Sequence, residues 1–257
     1  SWLGYLNSTR IKEIDYLIAD PLLIPKEKEI FYSEKIIKLP NIWNAHSILE
    51  EININDLPAQ KNNYFTFGSF NNFLKISDET INVWNEILNN IPNSRLMLKT
   101  LDNVDKDYEN YLLKKFNLNS SEKKIFFLKT EKDKNKHLQQ YNQIDIVLDT
   151  FPYNGVTTSF EAIWMGVPVI TLLGNTFASR CGYSINKNLG LDEFIAKNKK
   201  DYISKAINFS KHINFNKLNN LRKSLRNKAL SSPLFDNNLF VENFTRKINE
   251  MINSTKQ

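Results

Sequence analysis

The chain has 257 residues, of which 41% are hydrophobic, 24% charged and 12% aromatic, with a formal net charge of +6. These proportions exclude disordered, collagen-like and coiled-coil chains and leave room for one large or two modest domains with real cores. The single cysteine, Cys181, excludes an internal disulfide framework, and the longest apolar run, Val167 to Leu173, falls far short of the ~20 residues of a spanning helix, so a cytoplasmic protein is expected. The positive charge is mostly lysine and is scattered. No basic stripe with interleaved aromatics stands out, so the charge reads as a solvated surface, and neither nucleic acid nor membrane is expected as a partner.

Residues 1–56 read as irregular, with strand-like pieces at Asp15–Ile18 and Lys35–Leu39 separated by Pro21, Pro25 and Pro40. Ser1-Trp2-Leu3-Gly4-Tyr5 opens inside a strand-like segment with no leader-type region before it, which leads us to expect further sequence upstream. Beyond Pro58 a regular alternation begins. Strand-like runs at Tyr64–Phe70, Arg95–Lys99, Lys124–Leu128, Ile144–Asp149 and Val167–Leu173 alternate with helix-period segments at 78–91, 102–116, 133–142 and 157–165. Several strands are continuously apolar, as happens when helices cover both faces, so the expected fold is α/β: a parallel sheet built from βαβ units. After residue 175 the pattern is mainly helical. Ser231-Ser232-Pro233 breaks it before a last helix whose Phe240, Phe244, Ile248 and Ile252 form one apolar stripe. That stripe is expected to pack partly on residues 1–56.

Ligands of an open parallel sheet bind outside the carboxyl ends of its strands, so the strand ends carry the candidate site. The run Asp149-Thr150-Phe151-Pro152-Tyr153-Asn154-Gly155-Val156-Thr157-Thr158 follows a buried strand and leads into a helix. Thr157, Thr158 and the free N–H groups there suit an anion, and Glu161, one turn on, suits two ribose hydroxyls. The spacing allows equally that both threonines merely cap the helix. A second strand end, Phe67-Gly68-Ser69-Phe70-Asn71-Asn72, leads to Lys75, a point charge for phosphate or a plain surface lysine. Lys134 and His137 share a face of the helix before Ile144. The Asp-x-Asp match at Asp105-Lys106-Asp107 lies away from any strand end and reads as surface.

The segment from Asp145 to Pro168, together with Phe67-x-x-Phe70-Asn71-x-x-x-Lys75, Phe177-Ala178-Ser179-Arg180 and Ser231-Ser232-Pro233-Leu234-Phe235, resembles the nucleotide-sugar site of the O-linked N-acetylglucosamine transferase (SPINDLY-like) family. Trp2-Leu3-Gly4-Tyr5 and Asp15-Tyr16 followed by Asp20-Pro21 resemble the tail of that family's first catalytic lobe. The motifs run in order through nearly the whole chain. The resemblance implies a GT-B fold, with residues 1–56 as the tail of the first lobe and linker and residues 57–257 as the Rossmann-like lobe that holds the donor nucleotide. It implies that Lys75 contacts the diphosphate and neutralises the leaving group, that Lys134 and His137 lie near the nucleoside and phosphates, that Thr157 and Thr158 bind phosphate and that Glu161 binds the ribose. Asn72 stands where the animal enzymes have glutamine, Val156 where they have histidine, and Arg10 where glycine is usual.

The implied reaction is transfer of N-acetylglucosamine from UDP-GlcNAc to a protein Ser or Thr hydroxyl with inversion, without a metal or other cofactor. The implied partners are a UDP-sugar, a protein acceptor, and the remainder of the first lobe with its upstream tetratricopeptide repeats. Three alternatives remain at this stage: a nucleotide-binding module without turnover, a GT-B enzyme using GDP-fucose, and a nucleotide-sugar epimerase. The epimerase would want several carboxylates around the sugar, where only Glu161 is placed.

Overall fold

The computed structural model describes residues 1–4, 6–100, 106–118 and 123–255. Tyr5 and Asp105, with the start expected for the second helix, lie outside the described residues. Two parallel strands, β1 (Tyr16–Ala19) and β2 (Lys35–Lys38), form a small sheet within residues 1–56. The larger sheet has six parallel strands: β3 (Phe65–Ser69), β4 (Ser94–Thr100), β5 (Ile125–Lys129), β6 (Ile146–Leu148), β7 (Val169–Leu172) and β8 (Ile195–Ala196). Their spatial order is β5-β4-β3-β6-β7-β8, so the direction of winding reverses between β3 and β6. Right-handed crossovers on either side of that point put helices on both faces.

The helices between and after these strands are α1 (Asp78–Asn90), α2 (Lys106–Lys115), α3 (Lys134–Gln139), α4 (Thr157–Trp164), α5 (Cys181–Asn188), α6 (Lys199–Phe209), α7 (Phe215–Leu230) and α8 (Asn237–Thr255). Local chemistry fixes their starts. Ser77 accepts the Thr80 N–H at the head of α1, Asp133 that of Lys136 at α3, and Asn198 that of Asp201 at α6. In α1, Ile81, Trp84, Ile87 and Leu88 recur on one face and are buried. The short β8 was not foreseen: two residues after Phe194 carry too little pattern to read as a strand, yet they close the sheet beside β7.

Residues 1–56 share their core with the larger lobe. Leu17, Leu23, Ile24 and Trp43 are buried in the same apolar cluster as Phe177 and Ile185. Asp20 ties the two together, accepting hydrogen bonds from the N–H groups of Leu22, Leu23 and Trp43 and from Ser184 Oγ on α5 at 2.7 Å. Arg222, buried on α7, donates to the carbonyls of Ile144 and Asn55 and so clamps residues 53–55 to the base of β6.

The α8 stripe packs where its geometry demanded. Trp2 lies 4.8 Å from the Phe244 ring centre and 6.0 Å from that of Phe240. Phe240, Phe244 and Ile248 nevertheless stay only half-buried, so the stripe is incompletely covered. Deleting residues 237–257 is expected to raise amide exchange in residues 1–4 and 16–19. Unchanged protection there would show that α8 contributes nothing to holding this segment.

Candidate functional site

The site forms at the reversal between β3 and β6, where loops diverging to opposite faces leave a crevice. After Ser69 the chain passes Phe70, Asn71 and Asn72 into a single 3-10 turn, Phe73–Lys75. The Asn72 side chain accepts the Leu74 N–H at 3.0 Å, which fixes the turn and presents Lys75 to the crevice. Lys75 Nζ donates to the Asn154 carbonyl at 3.0 Å and lies 4.2 Å from the centre of the Tyr153 ring. Burial pushes the pKa of Lys75 down, and the charge of Asp149 opposes that shift.

Asp149, fully buried just after β6, organises the loops. Its Oδ1 accepts from the N–H groups of Gly155 at 2.7 Å and Thr150 at 3.0 Å and from Asn71 Nδ2 at 3.4 Å; its Oδ2 accepts from Thr171 Oγ1 on β7 at 2.8 Å. One carboxylate thereby ties together the ends of β3, β6 and β7. Burial pushes it up to about 6 against those hydrogen bonds and the charge of Lys75. Gly155 allows the close approach: a Cβ there would lie 2.7 Å from Asn71 Oδ1 and 2.8 Å from Thr158 Oγ1.

The helix that follows, α4, has Val156 at its N-cap and no side-chain cap. Neither threonine caps it, so that reading fails. Thr158 Oγ1 instead donates to Asn71 Oδ1 at 2.7 Å, and Thr157 is exposed to the crevice. The backbone N–H groups of Val156, Thr157 and Thr158 find no acceptor among the described residues. With Lys75 opposite, they line a cavity of about 360 Å³ whose remaining wall includes Asn72, Tyr153 and, from residues 1–56, Leu3, Leu6 and Trp43. Three orphan donors at a helix start and a cation across from them suit an anion with several oxygens.

A second group adjoins the cavity along α4. Glu161 Oε2 pairs with His137 Nε2 at 3.0 Å and accepts from Tyr141 Oη at 2.9 Å. Tyr141 Oη also contacts the Thr158 carbonyl at 3.2 Å, which links the two groups. His137 Nδ1 lies 2.5 Å from Nζ of Lys99, at the carboxyl end of β4. Burial brings the Lys99 pKa down to about 8, with the charges of Glu161 and Glu131 opposing. Glu161 Oε1 has no hydrogen-bond partner among the described residues.

Asn72, Lys75, Thr157 and Thr158 thus share one cavity, and His137 and Glu161 meet beside it. Lys134 stands one turn before His137 at the start of α3, exposed and outside the cavity wall. Lys99, Tyr141, Asn71 and the organising role of Asp149 were not anticipated. A signal existed for Lys99: a lysine closing the apolar run Leu96-Met97-Leu98 is charge at a strand's carboxyl end. A lysine bonded to Nδ1 fixes the tautomer that carries its proton on Nε2. The Glu161 carboxylate at Nε2 favours the same tautomer, so we expect ¹⁵N NMR to show it for His137 and the double variant Lys99→Met/Glu161→Ala to lose it; an unaltered ¹⁵N pattern in that variant would show that neither residue sets it.

Sheet order and crevice define this unit as a Rossmann-type lobe, with a lysine and three backbone N–H groups facing one cavity at its switch point. Residues 45–244 match the profile of Glycosyl transferase family 41, and the chain belongs to that family. It is 35% identical over 248 residues, 95% of its length, to a tomato (Solanum lycopersicum) protein described as a probable UDP-N-acetylglucosamine–peptide N-acetylglucosaminyltransferase SPINDLY. The rice (Oryza sativa subsp. japonica) protein of the same description is 36% identical over 96% of the chain. The chain spans 26% of the length of each of these relatives. Among solved structures, an O-GlcNAc transferase from Thermobaculum terrenum superposes with a TM-score of 0.81 at 28% identity, covering 98% of this chain and 46% of that one. The fold is therefore that of a Rossmann-like GT-B lobe with part of a first lobe. No helix among the described residues is long and apolar enough to cross a membrane.

Proposed function

We propose that the chain is the donor-binding part of a cytoplasmic, inverting protein O-glycosyltransferase, which transfers N-acetylglucosamine from UDP-GlcNAc to protein Ser or Thr hydroxyls. The observation that carries the reading is the pairing of Lys75 with the uncapped start of α4, at the switch point of a lobe belonging to family 41. A diphosphate fits there: its oxygens would accept from the N–H groups of Val156, Thr157 and Thr158, and Lys75 would face the oxygen that leaves the sugar. Glu161, with Oε2 held by His137 and Tyr141, offers Oε1 to the ribose hydroxyls.

Transfer with inversion requires the acceptor oxygen to attack the anomeric carbon as the C–O bond to the diphosphate breaks on the opposite side. Negative charge then grows on the leaving diphosphate. Lys75 and the helix start are fixed beforehand where that charge appears, and preorganised donors stabilise a transition state without reorganising. In this reading the charge is neutralised by the chain's own cation and N–H groups, without a metal. The acceptor hydroxyl would enter past Leu3, Leu6 and Trp43. The rest of the first lobe and tetratricopeptide repeats, which the relatives' greater length can accommodate, would complete the acceptor side.

The test has two arms. Titration calorimetry of the chain with UDP is expected to show one-site binding, weakened in Thr157→Val/Thr158→Val, which keep the backbone N–H groups, and GDP is expected to bind more weakly. Absence of UDP binding would overturn the reading, and tighter GDP binding would move the donor to a guanosine nucleotide. The nucleotide-binding module without turnover is favoured for this chain by itself, because residues 1–56 supply only a two-stranded sheet to the second lobe. Binding without transfer by this chain, with transfer by the full-length enzyme, would distinguish the module from the enzyme it serves.

A further inference from the structure

A second cavity, of about 340 Å³, has Asn7 on its wall, next in the chain to Leu6 on the wall of the first. Its lining residues include the cations Arg10 and Lys28, Phe31, and Thr176 from the loop after β7, and no Asp or Glu is among them. Lys28 Nζ lies 5.8 Å from the centre of the Phe31 ring. Neither cation enters an ion pair among the described residues. Glu34, the carboxylate that ties this segment down, does not line the cavity. It accepts from Ser8 Oγ at 2.7 Å and from the Thr9 N–H and hydroxyl at 2.6 Å each, and its remaining contact is Ser33 Oγ at 3.0 Å.

Arg10 itself is in the left-handed region, with φ at +54°. That conformation suits glycine and opposes a side chain. Residues held there against their preference concentrate at ligand sites. Here the strained residue brings a guanidinium to a cavity without an anion of its own. The surroundings fit a peptide better than a free ion, since Phe31 is 65% and the adjacent Ile30 81% exposed beside the two cations. We propose that this cavity is an acceptor subsite that takes the carboxylate of an aspartate or glutamate lying a few residues from the Ser or Thr that receives the sugar. Leu6 and Asn7, consecutive in the chain, line one cavity each, so an acceptor segment of a few residues, at ~3.3–3.6 Å per residue, would span from one to the other. The guanidinium binds the carboxylate by parallel hydrogen bonds, and Lys28 adds a point charge. The proposal rests on the proposed function only in that the acceptor is a polypeptide.

The experiment titrates labelled Ser-containing peptides with the 257-residue chain by fluorescence anisotropy. One peptide carries aspartates flanking the serine, and its control carries asparagines. The chain is used unmodified and as Arg10→Gly and Lys28→Gln. Arg10→Gly keeps the left-handed φ without strain, so it is expected to melt at or above the temperature of the parent. The acidic peptide is expected to bind more tightly than its control, with a margin that shrinks as salt rises. Arg10→Gly is expected to weaken the acidic peptide about tenfold and leave the control unchanged. Equal binding of the two peptides, no peptide binding, or a preference that survives both substitutions would overturn the proposal. Displacement of the acidic peptide by equimolar inorganic phosphate would also overturn it, in favour of a free-anion site. UDP calorimetry on the same samples is read separately: its failure sinks the donor site and leaves the acidic preference standing or falling by itself.

Discussion

Lys75→Ala is expected to slow sugar transfer by the full-length enzyme about 10²–10³-fold, the usual cost of removing one preorganised electrostatic donor. In the described crevice, Lys75 is the cation that faces the uncapped start of α4. Its Nζ is oriented by the Asn154 carbonyl and the Tyr153 ring, so a substrate oxygen meets an ammonium already in place. Burial disfavours the charged lysine, and the nearby Asp149 counters this, so the cation is retained inside a partly dehydrated crevice where its interaction with phosphate is strong. The loss should fall mainly on kcat, because charge on the leaving oxygen is greatest in the transition state. UDP affinity of the chain should fall by a smaller factor, since the three backbone N–H groups remain. Lys75→Arg is not expected to restore transfer: a planar fork cannot occupy the point between Asn154 and Tyr153 that an ammonium fills. Transfer by Lys75→Ala within a few-fold of the parent would show that the helix start alone carries the leaving group.

The strand–helix alternation was legible because strands such as Ile146–Leu148 are covered on both faces and therefore read as unbroken apolar runs. The motif residues were legible too: Lys75, Thr157 and Thr158 stand beside turn-forming residues at strand ends, where a parallel sheet binds ligands. Other features were set by partners distant in sequence. Lys99 looks like a surface lysine until β4 pairs beside β3 and His137 arrives from α3, 38 residues on. Arg222 resembles any helical arginine, and only packing against Asn55, 167 residues away, makes it a buried clamp. Asp149 was read as the end of a strand. Its four hydrogen-bond donors come from the loop after β6, the loop after β3 and β7, and local pattern carries no record of the last two.

Asp149 should therefore respond to substitution according to hydrogen bonding rather than charge. Asp149→Ala orphans the buried N–H groups of Gly155 and Thr150, at about 1–3 kcal/mol for each unsatisfied group, and frees Thr171. A loss of about 3 kcal/mol or more is expected by chemical denaturation, together with loss of UDP binding as the Gly155 loop relaxes. Asp149→Asn should keep the fold: its Oδ1 still accepts the same N–H groups, and its amide can donate to Thr171 Oγ1, whose hydroxyl rotates to suit. The two variants also separate in pH dependence. The carboxyls of Asp149 and Asp145 are both raised by burial from 3.8 to about 6 in the folded chain. A raised folded pKa means that the native state holds its proton more tightly than the unfolded state between about pH 4 and 6. Stability contributed by each protonated group is thus present in acid and lost as pH rises through the folded value, by about 3 kcal/mol for a shift of this size. The parent is expected to lose stability between pH 4.5 and 7, and Asp149→Asn to lose less, the remainder belonging to Asp145 and to Asp20, whose carboxyl burial also raises. Since asparagine has no ionisable proton, an undiminished pH limb in Asp149→Asn would show that the Asp149 carboxyl is already ionised at pH 4.5, and that its hydrogen bonds outweigh its burial.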